Sequence, residues 1–140
     1  MKNLYTSNYD LNGKNPNAIG ISFILPSWFS GKEMAKLAPT LSMITRFKSW
    51  VQEGKYREAE YEYDYINLLK ERGVTPQGLV DELPDGAILL CYEYPEEFCH
   101  RHVLAHWIQE NTDVIVTEAK SYRDIKKDNR DKVVDSFIDF

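Results

Sequence analysis

Residues 87–90, Ala-Ile-Leu-Leu, constrain the fold of this chain more than any other stretch. A Pro84-Asp85-Gly86 turn precedes them, no polar side chain interrupts them, and Cys91 closes the run. A strand that is apolar on both faces needs cover on both faces, the situation of a parallel sheet flanked by further layers. An acidic loop follows, in which Pro95, Glu96 and Glu97 suit a helix start. Wound at about 100° per residue, the segment from Cys99 places Val103, Leu104, Trp107 and Ile108 on one apolar face with His100 in its middle. His102, Ala105, His106 and Gln109 fall on the other side. His100 is therefore expected to look inward towards the sheet edge and Cys91, and His102 and His106 towards solvent.

The remaining elements follow from periodicity and punctuation. Residues 3–6 form a short strand, 7–17 a loop rich in Asn, Gly and Pro, and 18–25 (AIGISFIL) a second strand ending at Pro26. Residues 27–37 lack a clean period and read as a structured loop. Residues 39–53 carry Leu41, Ile44, Phe47 and Val51 at helical spacing, with Gly54 as C-cap. Residues 56–73 are ambiguous: Tyr61, Tyr63 and Tyr65 alternate as in a strand, whereas Tyr56, Ala59, Tyr63 and Ile66 repeat as in a helix. Their Glu, Lys, Arg and Leu content and the closing Gly73 favour helix. Thr75-Pro76 caps a short helix over 76–83. Residues 113–117, DVIVT, are the last strand. The order strand, helix, strand makes a right-handed βαβ unit with parallel strands. The expected fold is α/β, a small three-layer domain with a mostly parallel sheet of about four strands. One domain spans 1–120; residues 121–140 form a charged tail whose Val133, Val134, Phe137 and Ile138 dock on the body or on a second copy.

Composition narrows the function classes. With 140 residues, 43% hydrophobic and 28% charged, the chain sits in the globular range and holds one core. A net charge of -5 argues against a general nucleic-acid or anionic-membrane surface, which needs clustered Lys and Arg. No run approaches the roughly 18 apolar residues of a membrane span, and residues 1–10 carry no signal-like apolar stretch. A cytosolic setting is expected, with the two cysteines as thiols.

Both cysteines and all three histidines lie within residues 87–108. At the first turn of a helix, beside Arg101, Cys99 is placed to ionise and act as nucleophile or redox sensor; the plainer reading makes Cys91 and Cys99 small buried hydrophobes. A phosphatase-like loop fits poorly, because Tyr92, Glu93, Tyr94, Pro95, Glu96 and Glu97 supply no glycine and three acids. Cys91, Cys99 and His100 offer three metal ligands, and His102 and His106 share an i, i+4 face. The two sets diverge and show no CxxC or HExxH, so no metal is expected. The third reading is an anion site in which the helix amides and Arg101 hold a carboxylate or phosphate. There His100 and Glu93 position the ligand or exchange a proton, while Lys32 and Trp28 close over it. Against it stands pairing of Arg101 with Glu93, Glu96 or Glu97, and simple packing of Trp28 and Phe29.

The run LLCYEYPEEFCHRHVLAHWI resembles the C-terminal signature of the family called domain of unknown function 488, and YTSN, AIGIS and PSWFSGKEMAKLAPT resemble its other parts. The resemblance covers most of residues 1–110, and Cys-His-Arg is its specific element. It implies a Rossmann-like domain found in bacteria, archaea and phages, with Cys91, Glu93, Cys99, His100 and Arg101 at the signature positions. Ser22 stands where many relatives carry Asp-Val-Arg. The resemblance implies no particular activity.

Three readings follow. The first is a protein binding a small anionic, nucleotide-like ligand through Arg101, Cys91, Lys32, Trp28 and Ser7. The second is an enzyme using Cys99, or His100 with Glu93, on such a ligand. The third is an interaction or sequestering protein, virus-encoded or accessory, and a homo-oligomer is compatible with each. No cofactor is specified by the sequence.

Overall fold

The computed structural model describes residues 2–122. Its strands are β1 (Leu4–Asn8), β2 (Ala18–Gly20), β3 (Lys32–Glu33), β4 (Ile88–Cys91) and β5 (Val116–Glu118). They form one sheet in the order β3-β2-β4-β1-β5, and every pairing is parallel. The apolar run sits at the centre: Ile88, Leu89, Leu90 and Cys91 are all buried, with β2 on one side and β1 on the other. Register sets Cys91 opposite Asn8 and Leu90 opposite Gly20.

The helices are α1 (Tyr9–Asn12), α2 (Leu41–Gln52), α3 (Glu58–Glu71), α4 (Pro76–Glu82) and α5 (His100–Asn111), with a 3-10 turn at Ala35–Leu37. Thr75 caps as read, its Oγ1 accepting from the Gly78 amide at 3.1 Å, and Thr40 caps α2 in the same way, accepting from the Met43 amide at 3.2 Å. Gly54 follows α2 with φ +74°, a backbone only glycine adopts cheaply. In α3 the tyrosine ambiguity resolves to helix, but its buried face is Tyr61, Tyr65 and Leu69, and Tyr63 is exposed. The Tyr65 hydroxyl reaches the Leu37 carbonyl at 2.6 Å, which fixes that face.

One face of the sheet carries the large core, where Leu4, Ile19 and Leu89 meet Tyr65 and Leu69 of α3, Leu79 of α4 and Leu104 and Ile108 of α5. On the other face Ile88 and Leu90 meet Tyr9 of α1 with Leu25 and Phe29 of the loop after β2. Among the described residues that third layer is thin, made by one short helix and an aromatic loop. None of the described helices is long and apolar enough to cross a membrane.

Several boundaries differ from the sequence reading. The sheet has five strands, because two residues of the 27–37 loop pair with β2. The strand expected over 18–25 stops at Gly20; Phe23 and Ile24 continue its apolar pattern as partly exposed lining of a cavity. Ser7 and Asn8 belong to β1, and the Asn8 side chain caps α1 by accepting from the Leu11 amide at 2.8 Å. β4, α5 and β5 follow one another with the two strands parallel, as expected, but β5 pairs with β1, so β1 lies between β4 and β5. The docking expected of Val133, Val134, Phe137 and Ile138 lies outside the described residues.

Candidate active site

The carboxyl end of β4 delivers Cys91 to the sheet edge, and the eight residues after it bring the chain back. The acidic loop does not open the helix at Pro95. It curls into a turn closed by the Glu97 amide on the Tyr94 carbonyl (2.9 Å), with Glu97 Oε1 accepting from the Tyr94 amide (3.1 Å). Cys99 consequently becomes the extended N-cap residue of α5, and its sulfur lies 3.0 Å from that of Cys91.

Both thiols are free and buried. The Cys91 S–H donates to Cys99, and this bond, with His102 and Arg101 assisting, holds the Cys99 thiol down at about 4 against the cost of its burial. Burial pushes Cys91 up, so the pair carries one negative charge, on Cys99. The hydrogen bond to Cys99 raises the His102 imidazole above its ordinary value, which favours a positive charge beside the sulfur. His102 is half-buried beside Cys99, not turned to solvent, because α5 is wedged among the sheet, α3 and α4 and buries a wide band of its surface. His106 is exposed, as expected.

His100 points inward, but to β2 and not to Cys91. Its Nε2 donates to the Ile21 carbonyl at 2.8 Å and its ring meets Tyr65 edge-on at 5.5 Å. Burial lowers its pKa, keeping the imidazole neutral. Such a histidine anchors the helix start to β2 and has its donor committed.

Arg101 is fully buried, and four of its five guanidinium N–H donors have partners. Nε and NH2 fork onto Glu118 of β5 at 2.8 and 3.3 Å, and NH1 donates to the Cys91 sulfur at 2.8 Å and the Glu93 carbonyl at 2.7 Å. Its carboxylate partner is therefore Glu118, in place of Glu93, Glu96 or Glu97, and at 0% exposure it is sealed off from a ligand arriving from solvent. Thr6 Oγ1 adds a 2.6 Å bond to the same Glu118 carboxylate.

An open cavity of about 770 Å³ lies beside the helix start, lined by Cys99, His100, Glu93, Ser22 and Glu97 together with apolar side chains of α2 and the loop after β2. Phe47, Tyr61 and Phe98 build its aromatic wall, with ring centroids 5.2 to 5.6 Å apart. Exposed Lys48 is the one cation in the lining. Among the candidates from sequence, Cys99, His100 and Glu93 line this cavity, whereas Arg101 and Cys91 stand behind it. The other three are elsewhere. Ser7 is buried under Asn12 Nδ2 at 2.8 Å; Trp28 packs on Phe29 and under the Lys14 ammonium; Lys32 is exposed on the outermost strand, β3.

Cys91, Glu93 and Cys99 are the one group of three donors within 4.8 Å of one another among the described residues. The Arg101 guanidinium already contributes the positive charge that the sulfurs attract. Sequence reasoning missed Glu118, His102 as thiolate partner, and the aromatic wall. The acid at the end of the last strand was the only available signal for the first.

A family model described as DUF488-N3a, the active DUF488-N3 subclade, matches residues 24–112. No curated protein and no solved structure matches the chain. The matched region contains β3, β4, α5 and the whole Cys-His-Arg run, and omits Ser22 and Glu118. The chain thus belongs to the DUF488 family, in its DUF488-N3a subclade.

Proposed function

We propose that the protein is a thiol-dependent enzyme in which Cys99 attacks an electrophilic carbon of a small nucleotide-like ligand held in the aromatic cavity. The observation that carries this reading is Cys99 on the cavity lining with the Cys91 S–H donating to its sulfur at 3.0 Å, a contact that favours the thiolate. A thiolate, not a thiol, is the nucleophile. The cavity volume fits a ligand of that size. Phe47, Tyr61 and Phe98 would stack its ring, Glu93 and Ser22 would bind its polar edge, and Lys48 would pair with an anionic group at the rim. In the chemical step a sulfur–carbon bond forms and the bond to the leaving group breaks with its electron pair, which takes a proton from solvent in the open cavity. Water then attacks the same carbon, the sulfur–carbon bond breaks to return the Cys99 thiolate, and the proton lost by the water passes to solvent. With Arg101 committed to Glu118, the anion is assigned to Lys48 and not to Arg101.

The test is acid-quenched incubation with a panel of nucleosides and nucleotides, followed by intact-mass and peptide analysis. An adduct on Cys99 that disappears in Cys99→Ser, with binding of anionic members weakened by Lys48→Ala, is expected. Adducts retained in Cys99→Ser, or a panel that neither binds nor reacts, overturn the reading.

A further inference from the structure

The Cys91 and Cys99 side chains have different surroundings although their sulfurs are 3.0 Å apart. Both are buried, but Cys99 (4% exposed) lines the cavity, whereas Cys91 (1%) stands behind it with Arg101 NH1 at 2.8 Å. The hydrogen bond that Cys91 donates to Cys99 could come from a hydroxyl as well, whereas only a second sulfur at this distance can close a disulfide. A dithiol in which one residue lines a cavity and the other waits directly behind it has the layout of an attacking and a resolving pair.

We infer that Cys91 and Cys99 are a hydroperoxide-reducing dithiol, Cys99 taking the oxygen and Cys91 resolving it to an intramolecular disulfide. In the first step the Cys99 sulfur attacks the distal peroxide oxygen; the O–O bond breaks, an alcohol or water leaves, and Cys99 becomes a sulfenic acid. In the second the Cys91 sulfur displaces the sulfenic hydroxyl as water, giving the Cys91–Cys99 disulfide. Two electrons pass from the dithiol to the peroxide, and an external dithiol returns them. The geometry needs little change: a disulfide is about 2.05 Å long, so the sulfurs close by roughly 1 Å, within reach of small side-chain rotations. The thiolate character of Cys99 favours the first step. Arg101, donating to Cys91, is placed to stabilise its thiolate as that sulfur attacks. Both steps need no organic ligand, only the Cys99 thiolate that the proposed enzyme reaction also uses, and disulfide closure would switch that reaction off.

The experiment is treatment of the reduced full chain with one equivalent of hydrogen peroxide, with intact mass, iodoacetamide labelling after denaturation, and peptide mapping. Expected are loss of two hydrogens from the mass, loss of both alkylatable thiols, a Cys91–Cys99 linked peptide, and recovery of both thiols with dithiothreitol. Cys91→Ser should accumulate a dimedone-reactive sulfenic acid on Cys99, and Cys99→Ser should keep its Cys91 thiol. The peptide map needs no variant, so a misfolded substitution leaves the inference testable. Wild-type protein that retains two free thiols, or gains oxygens on Cys99 without the linked peptide, overturns it. A disulfide that forms while the nucleotide panel leaves no adduct sustains the dithiol and refutes only the ligand reaction.

Discussion

Replacing Cys99 by Ser should change how stability responds to pH, by an amount the site geometry fixes. In the folded chain Cys99 is ionised above about pH 4, whereas an unfolded cysteine keeps its proton up to roughly pH 8.5. Between those values the unfolded state binds one proton more, so unfolding free energy rises with pH, by about 1.4 kcal/mol per pH unit. This contribution is complete above the unfolded value and is lost as pH falls through about 4. His102 limits the window. Its folded pKa is raised, so above the ordinary histidine value of 6.5 the native state holds a proton that the unfolded state releases, and the two effects cancel. His100, buried neutral, adds slope of the same sign as Cys99 but does so in both proteins. Cys91, pushed up by burial, stays protonated in folded and unfolded chains alike over this range. The difference between wild type and Cys99→Ser should therefore grow by about 3 kcal/mol from pH 4 to 6.5 and then level off. Urea titrations at constant ionic strength across that range measure it. Parallel stability curves for the two proteins would refute the thiolate assignment and return Cys99 to the role of a small buried hydrophobe.

Two further substitutions probe the supports of the site. Glu118→Gln leaves the Arg101 guanidinium buried against a neutral partner; because Glu118 is 27% exposed, water recovers part of the loss and a cost of about 2 kcal/mol is expected in denaturant titrations. Tyr65→Phe removes the donor to the Leu37 carbonyl and should cost about 1 kcal/mol in thermal melts, without altering Cys99 alkylation.

The parts of the fold that were legible in the sequence are those where a single local pattern decides. The run at 87–90 has the pattern of a central strand, Thr75 before Pro76 that of a cap, and Val103, Leu104, Trp107 and Ile108 mark the core face of α5. Residues 18–25 misled because apolarity alone does not distinguish a strand from a cavity wall: Ile21 is in the core, whereas Phe23 and Ile24 line the opening. β3 was invisible because two residues, Lys32 and Glu33, carry no period and gain strand geometry only from β2. In the site, the concentration of Cys and His was plain, and Cys99 at a helix start was correctly placed. The orientation of His102 depended on what α5 packs against, and Arg101's partner lay seventeen residues downstream in a strand whose neighbour in the sheet could not be read from its own sequence.

That last contact has a bearing on synthesis. Charge balance around the Cys-His-Arg run is supplied by the final described strand, which adds to the open edge of β1. While a ribosome is still short of Val116, the nascent domain has its cysteines and histidines but lacks the Glu118 carboxylate beside which Arg101 is buried. Full burial of that guanidinium is thereby deferred until the sheet is finished.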